Sequence, residues 1–280
     1  MSQLIQMRQR INAVATIKKI THATRLIAMS AHTRLANREP IMAHYKDEVR
    51  RLFERLTGED IALIQKIKTT NPDSQQTLVI LIGAQKGFCG NFNTSLFKFL
   101  EHHHSTHSSL NTFMSVGKKA SDYLHNQATT PLESFNELSN RTSTTIASII
   151  TEKIIAHARD YKQIVVVSNY PRTFFSQKPQ SIILLPIEAT ISNTASLETY
   201  YWPESQQKLT KSLFNLYIQA TLESLIFSSL VAEQAARFQS MDNATRNAND
   251  LLDNMYRDYN KLRQTKITKE LIELSGSFER

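Results

Sequence analysis

The residues most suggestive of chemistry lie in one short segment, Lys86-Gly-Phe-Cys-Gly90, which follows a run of apolar residues. Glycines between a strand and a helix are a common setting for a phosphate cradle, because backbone N–H groups there point at an anion. The segment lacks the Gly-Lys-Ser/Thr ending of a nucleotide-binding P-loop. No residue near Cys89 in the sequence would activate it as a nucleophile. We therefore expect Gly87, Cys89 and Gly90 to form a structural turn, with no catalytic residue and no cofactor.

A histidine cluster is the second candidate for chemistry. His102, His103, His104 and His107 lie within six positions of one another. Their spacing matches no common zinc pattern, and no cysteine accompanies them. No serine–histidine–acid set or carboxylate pair can be picked out from spacing. The cluster is interpreted as a solvated helix end, with no metal bound.

Length and composition set the limits on fold and location. The 280 residues suffice for one or two domains. Hydrophobic residues make up 41% and charged residues 21% of the chain, which is ordinary for a globular protein. No stretch approaches the roughly 20 apolar residues that a membrane span needs, so no transmembrane segment is expected. The single cysteine excludes an intramolecular disulfide and fits a reducing compartment.

The net charge of +8 is concentrated in the N-terminal part of the chain. Residues 1–57 carry eleven lysines and arginines against four acids, and the first acid is Glu39. Three explanations fit a basic, acid-poor first segment. It is a cleaved transit peptide, it binds nucleic acid through phosphate contacts, or it is a helix face that meets acidic loops of a partner protein.

The two ends of the chain are poor in helix breakers. No glycine or proline lies between Glu204 and Ser275, and Pro40 is the one breaker in the first 57 residues. Proline costs about 3 kcal/mol and glycine about 1 kcal/mol inside a helix, so both flanks are predicted to be long helices, of about 80 and 100 Å. Apolar residues at spacings of three and four predict one coiled-coil seam on each helix. The seam residues are Leu4, Met7, Ile11 and Val14, then Leu209, Leu213, Leu216 and Ala220, and finally Ala248, Leu251 and Met255.

The middle of the chain shows a different period. Apolar runs of strand length occupy residues 77–82, 163–168 and 181–186, with a weaker run at 113–116. Candidate helices between them cover residues 93–102, 118–126 and 142–160. Strands that are apolar on both faces and alternate with helices predict an α/β domain with a partly parallel sheet.

The predicted fold class is therefore α/β plus long helices. An antiparallel coiled coil of the N- and C-terminal helices carries an inserted Rossmann-like α/β domain. The predicted boundaries are 1–57 for the N-terminal coiled-coil helix, 58–75 for a linker, 76–200 for the α/β domain and 201–280 for the C-terminal coiled-coil helix.

An ordered set of motifs resembles the γ subunits of F-type ATP synthases over nearly the whole chain. Matching segments are Lys19-Ile-Thr21 with Ala23 and Ala28, Lys86-Gly-Phe-Cys-Gly90 with Asn93, Leu184-Leu-Pro186, Tyr201-Trp-Pro-Glu-Ser205, Ala232-Glu-Gln-Ala-Ala-Arg237 with Met241, and Tyr259-Asn-Lys-Leu-Arg-Gln264 with Ile267-Thr268. No single motif is decisive, and the specificity lies in their order and spacing.

Several positions depart from the family pattern. Gly83, Ala84 and Gln85 stand where the family usually has a hydroxyl residue and an acid before the turn, and Thr24 stands where it has a methionine. These departures leave two alternatives open: a principal γ subunit, or a second, divergent copy in a specialised complex.

The resemblance implies a mechanical function with no catalysis by this chain. In the family, ion flow turns a ring of c subunits to which the globular part of γ is fixed. The coiled coil enters the hexamer of α and β subunits and forces each β site through its open, loose and tight states. The implied partners are the α and β subunits, the ε subunit and the c ring, with one copy of this chain per complex.

The resemblance also implies which residues contact the β subunits. The family's C-terminal arginine–glutamine pair meets an acidic loop of β, and here that pair is Arg263 and Gln264, with Thr268 one turn further on. Arginine suits this role because its planar guanidinium group can donate two parallel hydrogen bonds to one carboxylate. Lys19 and Thr24 in the first helix are the other implied contacts. The alternative interpretation of Arg263 and Gln264 is a solvated helix face.

The matching motif at residues 19–28 lies inside the basic stretch, which argues against a cleaved transit peptide. Nucleic-acid binding usually involves aromatic groups, and residues 1–44 contain none apart from histidine. The main alternative function is a free-standing coiled-coil scaffold or nucleic-acid-binding adaptor with an α/β head. A small-molecule enzyme built on the α/β domain rests on fold analogy alone. The expected location is the cytoplasmic face of the bacterial inner membrane, as a peripheral protein, with the mitochondrial matrix face as the alternative.

Overall fold

The computed structural model describes residues 2–54, 70–187 and 206–277. Helices occur in both flanks and in the middle of the chain. They are α1 (Ser2–Ala36), α2 (Glu39–Glu54), α3 (Phe92–His103), α4 (Lys118–Asn126), α5 (Ser143–His157) and α6 (Gln206–Ser277). The strands are β1 (Thr77–Ile82), β2 (Asn111–Val116), β3 (Glu133–Phe135), β4 (Gln163–Thr173) and β5 (Ser176–Leu185). No helix in these three ranges is both long and apolar enough to cross a membrane.

The five strands form one sheet in the order β3-β2-β1-β4-β5. β1 pairs in parallel with β2 and β4, and β2 pairs in parallel with β3. β5 is antiparallel to β4 and closes one edge. All six residues of β1 are buried, because helices cover both faces of the sheet. The prediction of a partly parallel α/β domain is confirmed.

Two apolar clusters lie on opposite faces of this sheet. Side chains alternate between faces along a strand, so Val79 and Leu81 of β1 lie on one face with α3 and α4. Leu78 and Ile80 lie on the other face. That second face is covered by α5 and by the first part of α6. The α6 residues that cover it share a spacing of three and four and are Phe214, Ile218, Leu222, Leu225 and Ile226.

The α6 residues that cover the sheet differ from those predicted as a coiled-coil seam. Phe214, Ile218 and Leu222 belong to the core cluster of the sheet, whereas the predicted seam residues of this part of α6 were Leu209, Leu213, Leu216 and Ala220. A 3–4 spacing marks one buried face of a helix and does not identify the element that covers it.

Both predicted long helices are present, and α6 is a single helix of 72 residues, about 110 Å long. The N-terminal flank differs from a single helix. α1 ends at Ala36 and α2 begins at Glu39, immediately before Pro40. Proline constrains the residue before it and is tolerated in the first turn of a helix, so it marks the start of a new helix at this point. Residues 55–69 and 188–205 lie outside the described part, so the boundaries predicted within them stay predictions.

The chain divides into two compact units. The first consists of residues 1–29 with 237–280, and the second of residues 30–236. The second unit contains the sheet and the helices that cover it. In the first unit α1 packs along α6, with Ile11 and Ala28 buried on α1 and Met241, Ala248 and Leu252 buried on α6. Here the seam uses Leu252 in place of the predicted Leu251, which is 49% exposed.

Candidate partner-binding surfaces

Two polar contacts fix the direction and register of the helix pair in the first unit. The hydroxyl oxygens of Thr21 and Thr245 lie 3.0 Å apart, and both residues are buried in the seam. Four residues further along α1, Arg25 Nη1 donates to Asp242 Oδ1 at 2.6 Å. Residue numbers rise along α1 as they fall along α6, so the two helices are antiparallel. The prediction of an antiparallel coiled coil is confirmed for this unit.

Asp242 is held between two guanidinium groups. Its second carboxylate oxygen lies 2.8 Å from Nη2 of Arg246, one turn further along α6. The hydrogen bond from Arg25, together with the charge of Arg246, holds the pKa of Asp242 below its ordinary value, against the opposing effect of burial. Asp242 is therefore ionised at neutral pH, and this charge-assisted pair adds specificity to the register.

The register also locates Arg263 and Gln264. Extended along the antiparallel pair, it places the start of α1 level with about residue 264 of α6. Arg263, Gln264 and Thr268 are all exposed, and the Thr268 hydroxyl donates to the Gln264 carbonyl at 3.0 Å. The structure therefore presents these three predicted residues on α6 at and beyond the point where α1 begins.

Lys19 and Thr24 form a separate surface. Lys19 is exposed, whereas Thr24 is half-buried and its hydroxyl donates to the Ile20 carbonyl at 2.9 Å. In the antiparallel register Lys19 lies level with about residue 247 of α6, roughly 24 Å along the axis from Arg263. The five predicted contact residues thus belong to two surfaces of the coiled coil and do not converge on one site.

An exposed apolar stripe on α1 was not predicted from the sequence. Ile17, Ile20 and Ile27 are 54%, 59% and 68% exposed, and Thr24 lies in line between Ile20 and Ile27. Their spacing of three, four and three is the same as that of the buried seam, but each lies one position before a seam residue such as Thr21 or Ala28, about 100° round the helix. In the sequence, this stripe is a second set of residues at spacings of three and four, beside the set that forms the seam. Isoleucines exposed in a row on a helix face are typical of a protein-binding surface.

The far end of α6 carries a similar stripe. Ile267, Leu271 and Leu274 are spaced four and three apart and are 47%, 61% and 58% exposed. They follow Arg263 and Gln264 on the part of α6 that extends past the start of α1. Apolar, basic and amide side chains together on one helix segment provide both packing area and hydrogen-bond donors for a partner.

The glycine–cysteine turn is a packed structural element. Phe88 and Gly90 both have positive φ, of 61° and 58°, and glycine adopts this conformation without strain. Cys89 is buried, and the Asn93 side chain donates to its sulfur at 3.3 Å while accepting from the Ala84 N–H at 3.0 Å. Gly87 has open space around its Cα, so close packing does not require a glycine there.

The loops at the carboxyl ends of the strands pack closely. A Cβ on Gly117 would lie 2.4 Å from the Gly83 carbonyl oxygen, which shows how closely the two loops approach each other. On the other side of β1, Phe92 is 2% exposed, and the buried Asn169 donates to its carbonyl oxygen at 3.0 Å. These are the strand ends at which ligands of open α/β sheets bind.

Gln85 explains one departure from the family pattern. Its side-chain carbonyl accepts from the N–H groups of Lys118 and Leu138 at 3.3 and 3.0 Å, and its amide donates to the Asn136 carbonyl at 2.6 Å. Its own N–H donates to the buried Glu233 of α6 at 3.2 Å. A carboxylate cannot donate, so an acid at this position would lose the bond to Asn136.

The histidine cluster lies at the end of α3. His104 is beside β5, with its Nε2 3.3 Å from the Ser181 hydroxyl. Burial, with the neighbouring charge of His103, lowers the pKa of His104. Within residues 2–54, 70–187 and 206–277, no three histidine, cysteine or acidic side chains converge on a point that would hold a metal ion.

Comparison with known proteins is consistent with this geometry. The family model for ATP synthase matches residues 3–279, and the chain belongs to that family. The chain is similar to the ATP synthase gamma chain of Rickettsia prowazekii, with 28% identity across 100% of this chain and 99% of that protein. It is also similar to the ATP synthase gamma chain of Clostridium perfringens, with 27% identity across 99% of this chain and 97% of that protein.

The fold is similar to that of a solved chain. A chain of the Euglena gracilis mitochondrial ATP synthase, from a structure of its OSCP/F1/c-ring, matches with a TM-score of 0.74. That match covers 99% of this chain and 94% of the Euglena chain at 19% identity. The arrangement of long helices and inserted sheet is therefore the fold of that chain.

Proposed function

We propose that this chain is the γ subunit of an F-type ATP synthase, the central rotor shaft that couples ion flow to ATP synthesis or hydrolysis. The observation that carries the proposal is the antiparallel pair of α1 and α6, with its exposed apolar stripe and an α1 that contains no acidic residue. Full-length similarity to ATP synthase gamma chains supports it.

The shaft works by contact and contributes no catalytic group. The stripe of Ile17, Ile20 and Ile27, with Lys19 beside it, offers one β subunit an apolar and basic face. Arg263 and Gln264 offer a second contact near the end of α6. Because these surfaces lie at different heights along the shaft and on different helices, each β subunit meets a different face as the shaft turns. Differential contact of this kind shifts the conformational equilibrium of each β subunit in sequence.

The partners of the chain in this proposal are the α and β subunits, the ε subunit and the ring of c subunits, with one copy of the chain per complex. The complex lies on the cytoplasmic face of a bacterial inner membrane. The domain boundaries at residues 57, 75 and 200 belong to the same proposal, with residues 76–200 outside the hexamer.

The test is co-expression of this chain with the α and β subunits of the same genome, followed by purification on a β-subunit tag. We expect one copy of the chain per three β subunits and an ATPase activity that depends on it. A chain that folds stably alone and never co-purifies with α and β would contradict the proposal. Binding to nucleic acid would then be the next measurement, with its salt dependence.

A further inference from the structure

The β4–β5 hairpin extends well beyond the rest of the sheet. β1 pairs with β4 only from Gln163 to Val167, so β4 from Ser168 onward pairs with β5 alone. A two-stranded ribbon is marginally stable in water without further support. The tip of this ribbon, residues 170–178, is here called the hairpin tip.

The turn of the hairpin tip consists of two phenylalanines. Phe174 and Phe175 connect the paired residues Thr173 and Ser176. Two-residue hairpin turns favour Asn-Gly and similar pairs, because the best turns need positive φ. Neither phenylalanine has positive φ. Turn geometry therefore does not itself require aromatic residues at this position.

Phe175 is exposed and contacts one neighbouring ring. It is 74% exposed, and its ring meets the ring of Phe174 edge-on with centroids 5.0 Å apart. Phe174 in turn meets His32 of α1 edge-on at 4.8 Å. This series of three rings connects Phe175 to α1. Aromatic side chains are enriched among interface hot spots.

The two charged residues within the hairpin tip are both basic. No aspartate or glutamate lies between Asp160 and Glu188 in the sequence. Arg172 and Lys178 flank the two phenylalanines, and both are exposed. In the described ranges neither residue forms an ion pair. Because like charges are not balanced within the tip, an acidic partner segment is the complementary surface.

We propose that the hairpin tip is a docking site for an acidic protein segment that bears an apolar side chain. The apolar side chain packs on Phe175, and carboxylates pair with Arg172 and Lys178. This proposal rests on the proposed function, because the segment belongs to a neighbouring subunit of the ATP synthase. It adds a contact on the α/β domain to those on the coiled coil.

The experiment places a photoreactive benzophenone amino acid at position 175 in the complete ATP synthase, assembled with its α, β, ε and c subunits. Position 183 is the matched control, because Ile183 is 54% exposed on β5 but lies outside the hairpin tip. We expect irradiation to join position 175, and not position 183, to an acidic segment of a neighbouring subunit. The adduct yield is expected to fall at least fivefold in the double variant R172E/K178E. The control double variant R141E/K162E also reverses two exposed basic residues and is expected to keep the yield.

Each other outcome overturns the proposal in a distinguishable way. An intact complex with no adduct at 175, or an adduct that R172E/K178E leaves unchanged, refutes the docking site and leaves the rotor function standing. An adduct to a neutral or basic segment, or to co-purified nucleic acid, replaces the acidic segment with another occupant and refutes it as well. Failure of the chain to assemble with α and β refutes the rotor function, and the docking site falls with it.

Discussion

The exposed stripe on α1 gives the sharpest quantitative test of the rotor function. Replacing Ile17, Ile20 and Ile27 by serine removes apolar area that is exposed in the free chain and covered in the proposed complex. Burying a whole isoleucine side chain stabilises by about 1.5–3 kcal/mol. The three side chains are 54%, 59% and 68% exposed in the free chain. Burying these exposed parts against a partner therefore stabilises the complex by about 1–2 kcal/mol per residue.

The expected effects follow directly. A factor of ten in affinity corresponds to about 1.4 kcal/mol, so I27S weakens association with the αβ hexamer by about tenfold. The triple serine variant weakens it by about a hundredfold to ten-thousandfold. The free chain changes little, because isoleucine and serine have similar helix propensities. Its free energy of unfolding is expected to shift by about 0.5 kcal/mol or less per site.

The assay is the equilibrium binding of a fluorescently labelled chain to αβ hexamers, with urea unfolding of each free variant alongside. The matched control is I41S, because Ile41 is the same residue type, 66% exposed, and lies on α2. We expect I41S to bind as the unsubstituted chain does. A triple variant that binds within twofold of the unsubstituted chain would refute the reasoning. So would equal losses in I41S and I27S.

Three further outcomes are expected. Arg263→Ala leaves the unfolding free energy of the exposed helix within about 0.5 kcal/mol but lowers ATP-driven ion pumping relative to ATP hydrolysis, as measured in membrane vesicles. Asp242 has a lowered pKa, so its contribution to stability is complete above the unfolded carboxyl pKa and is lost as pH falls through the folded one. D242N therefore flattens the acid side of the Tm–pH profile. Gly117→Ala forces a Cβ at φ 91° to within 2.4 Å of a carbonyl oxygen and destabilises by about 2–4 kcal/mol in urea unfolding, whereas Gly87→Ala meets no atom within 4 Å.

Each of these expectations has a contradicting result. Unchanged pumping and hydrolysis in the Arg263 variant would place that side chain on a solvated face. A Tm–pH profile that is identical for D242N and the unsubstituted chain would show that the ion pair contributes nothing to stability. Equal losses in the Gly117 and Gly87 variants would mean that backbone entropy, and not the close contact, sets the cost.

The strands of the sheet centre could be predicted from the sequence. β1 begins and ends at the predicted residues 77 and 82, because a fully buried parallel strand is apolar at every position. β3 escaped prediction since it has three residues at a sheet edge, none of them fully buried. β4 and β5 are longer than their apolar runs, because beyond residue 168 they pair only with each other and need no apolar side chains there.

The partner of a helix face was harder to predict than the face itself. The 3–4 spacing on α6 correctly marks buried positions at Leu213 and Ala220, but they belong to the unit that contains the sheet. The polar members of the coiled-coil seam were also missed. Thr21 and Thr245 interrupt the apolar pattern, and only the three-dimensional pairing of residues 224 positions apart reveals their contact. Long-range pairs of this kind leave no periodic trace in one sequence.

The register contacts of the helix pair have a mechanical consequence. A slip of one heptad would move Asp242 about 10 Å away from Arg25 and would leave the buried hydroxyls of Thr21 and Thr245 without each other. Apolar seams tolerate such a slip, because one leucine or alanine can replace another, whereas these polar pairs do not. Torque on a shaft of two helices tends to slide one helix along the other. The two polar contacts oppose this sliding, so the pair twists as one rod and delivers more of the applied work to its far end.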